Sequence, residues 1–112
     1  MTSAAPRLTT VMPGLAADLV EMLRADRAGG AIVEQLGTVP YMGRCPCGPE
    51  CRNILTAPLG SPAGYLVTLA RRGDPAVWLS FDPPPSAGNL TSVEVLDDSL
   101  LSAAARREVN AV

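Results

Sequence analysis

Three cysteines stand within seven positions of one another, at Cys45, Cys47 and Cys51 in the stretch GRCPCGPEC, and they are the chain's only thiols. A C-x-C spacing lets two sulfurs face one ion, and Gly48 gives the backbone room to bring Cys51 back to them. Three outcomes fit these residue types. They could form a zinc or iron site, a reversible disulfide that senses redox state, or small apolar thiols in a tight turn with no chemical role. A closed structural zinc site takes four ligands, so a fourth would come from Glu50, a more distant aspartate, a water or a second subunit. A redox pair would join Cys45 to Cys47 or to Cys51. Arg44 and Arg52 flank the loop and could in part support a thiolate.

What the chain lacks narrows the chemistry further. It has no histidine, and all nine basic residues are arginine. That removes a Ser-His-Asp or Cys-His arrangement, an imidazole acid or base, and a His-ligated metal. It also removes a phosphate-anchoring lysine and a Schiff base. An enzyme would have to work with thiolates or carboxylates alone, so the expected role is non-enzymatic, with no cofactor unless the cysteines take zinc. A net charge of −2 argues against a nucleic-acid binder. Hydrophobic residues at 47% are many for a chain of 112 residues with one modest core, which favours a protein partner or a homo-oligomer. The apolar runs are strand-sized, with neither a membrane span nor a signal sequence, so a cytoplasmic location is expected. In that compartment a structural disulfide is the weaker reading of the cysteines.

These residues need elements to position them. Residues 1–12 read as a flexible tail and 13–112 as a single domain. Over 13–30, Pro13 suits a first helical turn, Leu15, Leu19, Met22 and Leu23 share one face, and Gly29-Gly30 ends the helix. The segment 31–37 reads as a short second helix, with a strand as the alternative. The runs 39–42, 53–57, 65–70, 76–81 and 90–96 are rich in β-branched or aromatic residues and bounded by turn chemistry, which predicts a meander of four or five mainly antiparallel strands. Residues 97–109 return to helix, with Asp97, Asp98 and Ser99 at its start, Arg106 and Arg107 near its end, and Leu100, Leu101 and Ala104 as its apolar stripe. The expected class is α+β, with helices before and after the sheet.

The helix, short helix, GRCPCG loop and late strand resemble a group of small uncharacterised actinobacterial proteins that carry a G-R-C-x-C-G-C-type motif and an L-x-x-[VL]-E-[VI] strand. Gly43, Arg44, Cys45, Cys47 and Gly48 match the first motif; Leu90, Val93, Glu94 and Val95 match the second. The resemblance covers about residues 15 to 98. It departs where that group places its third cysteine, directly after the glycine: here that position is Pro49, and the cysteine falls at 51. What it implies is the fold class and a bacterial origin; the accessory protein of a bacterium or its phage is the kind of interaction domain that would fit the composition.

Other features have simpler readings. Arg72-Gly73-Asp74 belongs to a hairpin turn completed by Pro75. Pro83-Pro84-Pro85 reads as a stiff connector, or else as a polyproline II ligand. Glu94, mid-strand, needs a partner such as an arginine if its face is buried and is ordinary alternation if exposed. Trp78 shares a strand face with Ser80, opposite Val77, Leu79 and Phe81. It is the candidate interaction residue if exposed beside Tyr65 or Tyr41, or else it lies under a terminal helix.

Overall fold

Leu15, Leu19 and Leu23 recur at helical spacing, and this stripe is the keel of the molecule. The computed structural model describes residues 5–26, 29–48, 51–83 and 88–111. Helix α2 (Pro13–Arg24) buries Leu15, Ala16, Leu19, Met22 and Leu23. It packs against α1 (Leu8–Val11), α3 (Gly30–Leu36) and α4 (Ala103–Asn110). Strands β1 (Asn53–Leu55), β2 (Tyr65–Arg71), β3 (Asp74–Phe81) and β4 (Leu90–Val95) form an antiparallel sheet in the order β1-β4-β3-β2. This is the expected α+β class, with a C-terminal helix.

The side chains alternate as a sheet requires. Ile54, Leu69, Val77, Leu79, Phe81, Val93 and Val95 enter one core with the helical leucines. Trp78 and Leu66 stand exposed on the other face. No helix among the described residues is long and apolar enough to cross a membrane.

Four expectations are corrected, besides the end of the first helix, which stops at Arg24, while Gly29 caps and Gly30 opens α3. The first is the tail. Residues 7–12 belong to the fold, because Leu8 and Met12 continue the apolar spacing of α2 and are buried. Arg7 pairs with Pro40, the Leu8 amide donates to Val39 at 3.0 Å, and Tyr41 donates to Pro6 at 2.7 Å. These contacts occupy the 39–42 run, which is no strand; the chain has four strands among the described residues.

The second correction concerns topology. Only β2, β3 and β4 form a meander. β1 pairs with β4 at the far edge, since residues 56–64 are long enough to carry the chain across the sheet. Third, the turn between β2 and β3 is Arg72-Gly73, both at positive φ (55° and 82°), whereas Asp74 and Pro75 already lie in β3.

Finally, the C-terminal helix comes in two pieces. Asp97 caps a single-turn 3-10 helix at Asp98–Leu100, and Ser102 caps α4 by accepting from the Ala105 amide at 3.2 Å. Leu100 and Leu101 are buried but precede α4, whose own buried residues are Ala105 and Val109.

Candidate functional site

The cysteine loop is the tip of a hairpin. Arg44 pairs with Ile54 in an antiparallel bridge, and the Cys45 amide donates to the Asn53 carbonyl at 2.9 Å. Leu55 donates back to Gly43 at 2.8 Å. Gly43 has φ +97°, a left-handed conformation that a side chain would strain, so the glycine before Arg44 is what lets the chain enter this bridge.

Arg44 then locks the hairpin to the helical layer. Its guanidinium donates to the Val109 carbonyl at 2.5 Å and the Glu108 carbonyl at 2.6 Å, closing the C-terminal end of α4. Arg52, on the other flank, pairs with Asp98 at 2.7 Å. Both arginines that could have supported a thiolate are therefore engaged elsewhere.

The three cysteines do come together. Their sulfurs all lie within 4.8 Å of one another, close enough to hold a metal ion. Cys47 and Cys51 sit at disulfide distance, with Cα atoms 6.2 Å apart, and Cys45 is the free thiol. The expected pairs, Cys45 with Cys47 or Cys51, are thus replaced by Cys47–Cys51. The reason is local. The Cys45 amide is tied into the bridge with Asn53, whereas a turn closed by the Cys51 amide on the Gly48 carbonyl folds Cys47 and Cys51 side by side. Glu50, an expected source of a fourth ligand, lies outside the described residues, as do Pro84 and Pro85 of the proline run.

Sequence reasoning missed where Glu94 would fall. Asn53 faces Glu94 across β1 and β4, and Glu94 faces Trp78 across β4 and β3. The bridge at Arg44 and Ile54 sets Cys45 opposite Asn53. Residues directly opposite on antiparallel strands share a face, so Cys45, Asn53, Glu94, Trp78 and Thr68 form one cross-strand row on the face opposite the one that packs against the helices. The groove beside this row is lined by Cys47, Gly48, Cys51, Arg52, Glu94 and Leu96. Glu94 is half-buried, and no hydrogen bond or ion pair to its carboxylate occurs among the described residues.

Trp78 is 37% exposed, and its diagonal neighbour on this face is Leu66, at 52%. Neither tyrosine stands beside it. Tyr65 stacks on Phe81 with ring centroids 4.9 Å apart, and Tyr41 packs against the core.

The chain matches no protein-family model, no curated protein and no solved structure in the comparisons.

Proposed function

We propose that the protein is a non-enzymatic interaction domain that binds a protein partner, or a second copy of itself, through the face of its sheet opposite the helices. The observation that carries this reading is the position of Trp78. A large aromatic residue stands exposed with Leu66 on the face opposite the one that packs against the helices, next to the outer strand β2. Aromatic anchors of this kind dominate binding energy at protein interfaces, and an outer strand offers unpaired backbone groups for pairing. The absence of histidine and lysine is consistent with a binding role.

The test uses a photo-crosslinking residue in place of exposed Thr68, beside Trp78. The expected result is one saturable crosslinked species of defined mass, lost in Trp78→Asp while circular dichroism stays unchanged. A crosslinking pattern indifferent to Trp78, or no species at all, overturns the reading.

A second reading has its own observation, the convergence of three sulfurs within 4.8 Å. In it the loop binds zinc through Cys45, Cys47 and Cys51 in the reduced chain, or cycles through the Cys47–Cys51 disulfide, and so regulates the adjoining face. Metal content with parallel thiol titration tests it. One zinc per chain, with thiols protected until a chelator is added, supports metal binding. Two thiols that appear only after reduction support the disulfide. Three freely titrating thiols with no metal remove both.

A further inference from the structure

We infer that Glu94 supplies the fourth ligand of a zinc site whose other ligands are the thiolates of Cys45, Cys47 and Cys51; this rests on the metal form of the second reading. Three observations converge on Glu94. It lines the same groove as Cys47 and Cys51. It stands in the same cross-strand row as Cys45, one strand beyond Asn53. Its carboxylate has no hydrogen-bond or ion-pair partner among the described residues, and Arg52, the cation lining that groove, is paired with Asp98.

Between Cys45 and Glu94, the Asn53 side-chain oxygen is buried with no hydrogen-bond donor among the described residues. A buried acceptor of this kind is normally satisfied, so its environment lacks a positive centre. A metal ion held above Asn53 provides one.

The Glu94 carboxylate is not part of the cluster that the three sulfurs form, so ligation requires its side chain to swing towards the loop. Two strand spacings put the Cα atoms of Cys45 and Glu94 about 10 Å apart. A cysteine and an extended glutamate close that gap with an ion between them, at metal bonds of about 2.3 Å to sulfur and 2.0 Å to oxygen. The ligand set also selects the metal. Soft thiolates disfavour magnesium and calcium, and three thiolates with one carboxylate fit tetrahedral zinc better than an iron–sulfur cluster, which prefers four cysteines.

Binding requires the reduced chain. Opening the Cys47–Cys51 bond takes two electrons and two protons and yields two thiols. With a phosphine as reductant, the phosphine is oxidised to its oxide and water supplies the oxygen and the protons. Zinc then displaces the three thiol protons and accepts the Glu94 carboxylate.

The experiment titrates the full reduced chain with cobalt(II), then displaces it with zinc(II), in wild type, Glu94→Gln and Glu94→Cys. The wild type should bind one cobalt per chain with thiolate charge-transfer bands and intense tetrahedral d–d bands. Glu94→Gln should weaken binding at least tenfold while keeping three thiolates on the metal. Glu94→Cys should restore affinity and raise the charge-transfer intensity by roughly one third, as three thiolates become four.

Equal affinity in wild type and Glu94→Gln overturns the role of Glu94 and leaves the metal reading standing. So does a Glu94→Cys complex with no added thiolate intensity. A wild type that binds no cobalt overturns both the inference and the metal reading beneath it. Circular dichroism of each apo variant separates lost ligation from lost folding.

Discussion

Across 94 positions of sequence, the Glu108 carboxylate accepts the Gly14 amide hydrogen at 2.8 Å, and its second oxygen accepts from Leu15 at the same distance. One side chain of α4 thereby satisfies two of the orphan amides at the start of α2, where Met12 offers no side-chain cap. The approach depends on Gly14. A Cβ there would stand 2.9 Å from the Ala104 Cβ and from the Ala105 amide nitrogen, which is part of the α4 backbone. Gly14→Ala is therefore expected to destabilise the protein by about 1–3 kcal/mol, as overpacked sites do. Glu108→Ala should cost about 1 kcal/mol through the lost cap. Urea denaturation of the two variants checks both figures, and a neutral Gly14→Ala would mean that the two helices are not this close.

Arg71 holds the end of β2 to the helices. It lies 3.7 Å from the buried Asp18 carboxylate and 3.3 Å from Glu21, and donates to the Leu100 carbonyl at 2.8 Å. Asp18 also accepts the Ser102 amide at 2.7 Å. Removing the cation strands a buried charge, so Arg71→Ala should cost about 3 kcal/mol. Adding Asp18→Asn should recover part of that loss, because the neutral amide oxygen still accepts from Ser102. Purely additive effects in the double-mutant cycle would show that the two side chains do not interact.

Acid should act on Asp98. The hydrogen bond from Asn110, and after it the Arg52 guanidinium at 2.7 Å, hold its carboxyl below the ordinary value. The folded value is lower than the unfolded one. The resulting stabilisation is therefore complete above the ordinary carboxylate range and is lost as pH falls through the folded value. Asn110→Ala should raise the Asp98 titration midpoint and flatten this part of the acid limb. Carboxyl carbon chemical shifts followed against pH measure the change directly; an unmoved midpoint contradicts the assignment to Asn110.

Arg72 occupies the left-handed region at φ 55°, followed by Gly73 at 82°, the pattern of a two-residue hairpin turn that favours Asn-Gly. Arginine bears a steric cost there of about 1 kcal/mol that asparagine largely avoids. Arg72→Asn should accordingly raise the thermal midpoint. A lower midpoint would imply that the arginine makes a contact outweighing its backbone strain.

Helix and strand were legible wherever periodicity carries through a whole element. The stripe Leu15, Leu19, Met22, Leu23 and the alternation Val77, Leu79, Phe81 both appear as read, because each reflects one-sided burial. Partnership was harder to see. Leu8 and Met12 continue the helical stripe, but Pro13 interrupts it and the segment looks like a tail. Asp18 sits inside an apolar stripe, a hint that a buried carboxylate awaits a cation, yet Arg71 lies far away in sequence.

The convergence of the cysteines was legible from spacing alone. The pairing of Cys47 with Cys51 was not, since it depends on a bridge between Arg44 and Ile54 that only the folded hairpin supplies. The same bridge sets Glu94 in line with Cys45, and no local signal reports a register spanning three segments of chain.

The exposure of Trp78 has an optical consequence. A chain's only tryptophan usually reports on its core, but here the indole is in contact with water before any unfolding begins. Native emission should already be partly red-shifted, and denaturant should shift it further to the red as the covered part of the residue, which is 37% exposed in the fold, meets water. A shift in the opposite direction, to the blue, should mark the moment something apolar covers that face. The fluorophore most often used to follow unfolding is in this chain a gauge of occupancy.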